Sequence, residues 1–331
     1  MVSESRVSVG QEGSGPRTDT QPEHPPRPWL ADRKMAVAMK AESTQADGEK
    51  VLLAAAAAFR AALGERLLAA YALGSLAHGG FSPLVSDIDL GLVVEDPLRP
   101  DDANMIELVA QSQKVSGGPL CERLSVFWGT LNTLGGRREG GRFPALDRLD
   151  LLENGRLLVG ADVRSGLPRP SARELIVAGA EFAVEFLAGG RWAASGGQSG
   201  LGSMQAARED AVDEVRRPEL LIAAGVRRLT KLVLFPVRFV FTAATGSVGT
   251  NAVAAEWYLA RHAAPSKRLV GAALAWRMAE PSDHDEVADL LRQDMVPLYL
   301  YYIDDHIARL NALGKVELAR AFMDWRARLK A

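Results

Sequence analysis

The segment Asp87-Ile88-Asp89-Leu90-Gly91-Leu92-Val93-Val94 constrains the fold of this chain more than any other. Past Asp89 it carries no charge, and its apolar residues suit a buried strand, so a strand is expected over Asp87–Val94. Side chains alternate across a strand. Asp87 and Asp89 therefore share one face, while Ile88, Leu90 and Leu92 enter the core on the other. Two further strands are expected, over Leu67–Leu73 and Glu122–Trp128, with helices over Glu49–Leu63 and Asp101–Ser116. Leu131–Arg142, rich in Gly and Arg, reads as a loop, and Asp147–Leu152 as a short helix.

Past Pro168 and Pro170 the pattern is almost wholly helical. Ser171 and Glu174 fit a capping box, in which each side chain satisfies a free amide at a helix start. Helices are expected over Ser171–Leu187, Met204–Ala224, Val226–Thr245, Thr250–Arg261, Ser266–Ala279, Asp283–Leu313 and Val316–Leu329. Pro236 and Pro297 should kink or split two of them. Gly189–Gly202 reads as a mobile loop. Residues 1–48, proline-rich and poor in large apolar side chains, read as a disordered tail. The expected organisation is that tail, a small α/β module over 49–170 and an all-helical module over 171–331, an α+β chain.

Composition narrows the function. Lys and Arg total 39 against 41 Asp and Glu, which argues against a nucleic-acid partner. The single cysteine, Cys121, excludes an intrachain disulfide and a cysteine-cluster metal site. Uncharged apolar stretches such as Val51–Phe59 and Leu232–Val237 fall well short of the roughly 20 residues of a membrane span. A cytoplasmic protein with no membrane partner is expected.

The chemistry concentrates in Tyr71–Val94. Adjacent carboxylates raise each other's pKa unless a cation lies between them. Hard oxygen ligands without His or Cys favour Mg²⁺ over Zn²⁺. The Gly74-Ser75 turn at the end of the preceding strand offers backbone amides and a hydroxyl to phosphate oxygens. No Walker-type phosphate loop and no Gly-x-Gly-x-x-Gly occurs.

Gly74-Ser75 followed by Ser86-Asp87-Ile88-Asp89-Leu90 resembles the signature of the DNA polymerase β-like nucleotidyltransferase superfamily. A wider similarity, over roughly residues 67–280, is to the bacterial aminoglycoside adenylyltransferases of the streptomycin and spectinomycin type. Arg238–Leu259 carries it into the helical module. The resemblance implies a nucleotidyltransferase domain with a mixed sheet and flanking helices. It implies Asp87 and Asp89 as ligands of Mg²⁺ carrying ATP or another nucleoside triphosphate. It also implies a third carboxylate on a neighbouring strand, for which Glu122 is the candidate, as general base or metal ligand. Gly74, Ser75, Ser86 and Lys231 are the candidate nucleotide contacts. The implied reaction moves a nucleoside monophosphate, AMP in the leading reading, onto a hydroxyl of a small molecule and releases pyrophosphate.

The alternatives are antibiotic adenylylation and an antitoxin-type module partnering a helical HEPN-type toxin. For the latter, the spacing from Arg277 to His284 is interrupted by Pro281 and Ser282. His78 reads as a loop residue, and Asp147 and Asp150 as helix-surface charges. Trp128, Trp192 and Trp257 read as packing. Arg227, Arg228 and Lys231 open one helix, where a cationic cluster would repel a polycation. A neutral or anionic acceptor is therefore expected, unless Asp210, Asp213 or Glu214 receives a cationic one.

Overall fold

The computed structural model describes residues 28–188 and 211–331. The chain divides into two units, residues 1–40 and 41–331. Of the first, the described part is residues 28–40, the beginning of helix α1 (Pro28–Leu63). The helix thus starts well before Glu49, the expected boundary. Trp29–Asp47 holds neither proline nor glycine and is rich in Ala, with Met and Lys among the rest, all good helix formers.

In the second unit, β1 (Leu67–Leu73), β2 (Ile88–Val94), β3 (Leu124–Thr130) and β4 (Arg156–Gly160) form one mixed sheet in the order β3-β2-β1-β4. β1 is antiparallel to β2 and β4, and β2 is parallel to β3. One face carries Ile88, Leu90, Leu92 and Val126. It packs on Leu52, Ala56 and Phe59 of α1 and on Ile106 and Ala110 of α3 (Asp102–Ser116). On the other face Tyr71, Leu73 and Val93 meet Leu134 of α4 (Leu131–Leu134) and Leu151 of α5 (Ala145–Asn154). Burial on both faces explains why β2 is apolar throughout after Asp89. The expected loop at Leu131–Arg142 opens with the short α4, because Thr130 and Thr133 close a capping box there.

The helical module begins at α6 (Ala172–Phe186), capped by Ser171 and Glu174 as expected. The described part of the expected Met204–Ala224 helix is two pieces, α7 (Ala211–Arg216) and α8 (Pro218–Ala223). Pro218 cannot donate a backbone hydrogen bond and starts a new helix at its first turn. There follow α9 (Val226–Thr245), α10 (Asn251–Ala260), α11 (Lys267–Trp276), α12 (His284–Ala312) and α13 (Val316–Lys330). The loop expected over Gly189–Gly202 lies outside the described residues.

Neither α9 nor α12 is split by its proline. In α9, Pro236 leaves the Leu232 carbonyl without its usual amide donor. The buried Tyr299 hydroxyl donates to that carbonyl instead, at 2.9 Å. Tyr299→Phe strands the carbonyl and should cost about 1–3 kcal/mol in urea unfolding. An unchanged midpoint would remove this account of how α9 tolerates Pro236. No helix among the described residues is long and apolar enough to cross a membrane.

Candidate active site

β1 ends at Leu73, which pairs with Asp89 of β2. Gly74 then turns the chain into α2 (Gly74–His78) at a φ of 59°. A Cβ at Gly74 would collide with the Asp89 carboxylate, so the backbone passes directly over that acid. The Gly74 amide donates to Asp150 Oδ2 at 2.6 Å, and Asn154 holds the other oxygen at 2.9 Å. Gly74→Ala therefore meets an unfavourable φ and the Asp89 carboxylate together. It should destabilise the protein by more than about 1 kcal/mol, read as a lowered melting temperature.

Asp87 lies just before β2, and both its carboxylate oxygens are engaged by cations of α9, Arg227 on one and Lys231 on the other. Burial pushes the Asp87 carboxyl up, but Lys231 and Arg227 outweigh it and hold the group below its ordinary value. Asp89 is the opposite case. Burial, then the charges of Asp87, Asp147 and Asp150, push its pKa up to about 8. Burial and Asp150 raise Asp147 to about 7, opposed by Arg238 and Arg142.

The structure corrects several sequence expectations. Asp147 and Asp150 are not surface charges: Asp150 is buried under Gly74, and Asp147 is half-buried on the same side of α5. Their i,i+3 spacing, which puts both on one helix face, was the available signal. Glu122 is not brought to the acids. It is exposed in a 3₁₀ turn, Cys121–Arg123, before β3 begins. The parallel register sets Ser125 against Asp89 and Phe127 against Gly91. The β3 positions facing the acids therefore hold no carboxylate.

The cationic cluster is also placed differently. Arg227 and Lys231 are turned onto Asp87, and Arg228 pairs with the buried Glu214. Asp213 pairs with Arg217 at 3.5 Å, and Asp210 lies outside the described residues. The argument for a neutral or anionic acceptor thus loses its basis. Ser86 is buried. Its hydroxyl accepts from the Ser82 amide at 2.9 Å and from Arg277 at 3.3 Å. Arg277 also donates to the Gly80 carbonyl at 2.9 Å, so it ties the glycine-rich spacer to the end of α11. Trp128 is half-buried in β3 and Trp257 packs edge-on against Phe241; Trp192 lies outside the described residues.

Two cavities meet at the acids. The smaller, about 100 Å³, is lined by Ser75, Ser86, Thr230, Lys231, Asn251 and Arg277. The larger, about 610 Å³, is lined by Asp147, Asp150, Glu181, Glu185 and a set of phenylalanines. Gly74, His78, Asp87, Asp89 and Arg238 border both, so His78, expected as a loop residue, closes α2 at the edge of the cleft. Arg238 makes no ion pair or hydrogen bond among the described residues. One cavity is thus small, hydroxyl-lined and basic, the other large, aromatic and acidic, and the two carboxylates stand between them.

No protein-family model and no curated protein matches the chain. Among solved structures it is similar to the spectinomycin adenyltransferase AAD(9) from Enterococcus faecialis with ATP and spectinomycin. The identity is 13%, over 77% of this chain and 98% of that one, with a TM-score of 0.47.

Among the described residues no group of three or more His, Cys, Asp or Glu is gathered to hold a metal ion unaided. Asp87 and Asp89 nevertheless fit the way Mg²⁺ is commonly bound, by one or two carboxylates with substrate phosphates completing the shell. Burial, and after it the charges of Asp87, Asp147 and Asp150, disfavour the ionised form of Asp89, and a bound cation would offset that cost.

Proposed function

We propose that the chain is a nucleotidyltransferase that moves AMP from ATP onto a hydroxyl of a small molecule and releases pyrophosphate. The observation that carries this reading is the position of Asp87 and Asp89 at the junction of a basic and an acidic cavity, beside the tight Gly74-Ser75 turn. The smaller cavity suits the β- and γ-phosphates, with the Ser75 hydroxyl and the Lys231 ammonium as donors. Ser86 contributes by shaping the spacer. The larger cavity suits the acceptor. Arg238, open to both, suits the α-phosphate in between.

Asp87 and Asp89 would hold Mg²⁺, which when bound neutralises triphosphate charge and supports the leaving group. Arg227 and Lys231 then exchange Asp87 for phosphate oxygens. The acceptor oxygen bonds to the α-phosphorus as the bond to the β-phosphate oxygen breaks, and pyrophosphate leaves with that electron pair. The hydroxyl proton passes to a carboxylate of the acceptor cavity. Asp147 is our choice for that role in place of Glu122, because it lines the acceptor side and its pKa of about 7 suits a base near neutrality. The test is the product of Mg·ATP turnover with a panel of hydroxyl compounds. Pyrophosphate and AMP adducts are expected; orthophosphate and ADP would overturn the reading.

A further inference from the structure

The larger cavity has a chemical character of its own. Phe182 of α6 stands 4.6 Å from Phe186, 5.7 Å from Phe235 and 5.8 Å from Phe239, between ring centres. These rings line the cavity on the helical side, and Phe127 of β3 lines it too. The same lining holds Glu181 and Glu185, four residues apart on α6 and therefore on one face. Both are raised by burial, and for Glu181 the charge of Lys315 relieves part of the shift. Glu185 has no ion-pair or hydrogen-bond partner among the described residues. Of the cations in the lining, Arg142 is spent over the Phe127 ring, 5.5 Å from its centre, and on the Val126 carbonyl. Arg238 lies at the border with the smaller cavity.

Partly desolvated carboxylates and aromatic faces select the same ligand charge. Both attract a cation, the first by ion pairing and the second through the ring quadrupole. The phenylalanines add a second condition. A sugar-like polycation would set its many hydroxyls against rings that cannot hydrogen-bond them, which is costly. A small anion meets Asp147, Glu181 and Glu185. We propose that this cavity takes an amphiphilic amine: a hydroxyl compound with one aromatic or aliphatic body and one ammonium group, its body on the Phe182 cluster and its charge on Glu181 and Glu185. The assignment of the hydroxyl as acceptor rests on the nucleotidyltransferase reading; the ligand class rests on the cavity alone.

The experiment is calorimetric titration of the full chain with three probes: propranolol, which joins an aryl body, one ammonium and one hydroxyl; streptomycin, a polar polycation; and 3-phenylpropan-1-ol, which lacks the charge. Propranolol should bind at least tenfold more tightly than either other probe. Glu181→Gln with Glu185→Gln should weaken propranolol at least tenfold and leave Mg·ATP binding unchanged. Phe182→Leu, which keeps the volume, should weaken it several-fold. Tighter binding of streptomycin, no measurable binding of propranolol, or propranolol binding indifferent to the double glutamine variant would overturn the inference. A separate failure is distinguishable. Propranolol binding with the expected mutant pattern, but no Mg·ATP binding and no pyrophosphate, would overturn the nucleotidyltransferase reading and leave the ligand class standing.

Discussion

Asp87→Asn and Asp89→Asn are each expected to abolish Mg²⁺-dependent nucleotidyl transfer while the protein stays folded. Metal-borne charge stabilisation is worth several kcal/mol. At about 1.4 kcal/mol per tenfold, the rate should fall by roughly 10³ or more. The two variants separate in the metal-free protein. Asp89 has a folded pKa of about 8 against an ordinary 3.8, so the native state holds an extra proton between those values. The stability this proton brings is fully present below about pH 4 and is lost as pH rises toward 8. Asp89→Asn mimics the protonated form, so it should raise the melting temperature of metal-free protein at pH 8 and leave it nearly unchanged at pH 4. Asp87→Asn removes the partner of Arg227 and Lys231 and should lower stability at neutral pH. A destabilised Asp89→Asn at pH 8 would contradict the crowding of acids described here.

The second large effect belongs to Asp147. Asp147→Asn should lower kcat by roughly 10²–10⁴, the usual worth of a general base, with Mg·ATP affinity little changed. Its loss should also flatten the acidic limb of the pH–rate profile, and Asp147→Glu should restore part of the rate. Glu122→Gln should change neither parameter, because Glu122 is exposed and lines neither cavity. The reverse outcome, a crippled Glu122→Gln beside a normal Asp147→Asn, would return the proton-accepting role to the residue the sequence resemblance suggested.

The proposed exchange of roles between Glu122 and Asp147 marks how far a sequence reading reaches and where it stops. The strand bearing Asp89, which starts at Ile88 just after Asp87, is legible because alternation is a local property and the core demands apolar residues on the opposite face. The Gly74-Ser75 turn was legible for a similar reason, since a glycine at a strand end offers the φ that a side chain resists. Glu122 was misplaced because the register between parallel strands joined by a helix cannot be counted along the chain. A few residues of offset put Ser125, not an acid, opposite Asp89. The i,i+3 spacing of Asp147 and Asp150 puts both on one helix face, but it does not tell whether that face meets solvent or a cleft, so they read as surface charges. The charges of α9 were seen, but their partner was not. Only the fold brings Arg227 and Lys231 onto Asp87, some 140 positions earlier. Pro236 does not split α9, and the sequence around it does not show why, because the compensating hydroxyl of Tyr299 comes from another helix.

The central claim is that Asp87 and Asp89 serve nucleotidyl transfer. The most direct measurement is mass spectrometry of a hydroxyl-compound panel, propranolol and spectinomycin among them, after incubation with Mg·ATP and either wild-type protein or Asp87→Asn. The account predicts an acceptor that gains one adenosine monophosphate with wild type, pyrophosphate in equal amount, and neither product with Asp87→Asn. An adduct formed equally well by Asp87→Asn, or ATP consumed to ADP and phosphate with no adduct, would contradict it.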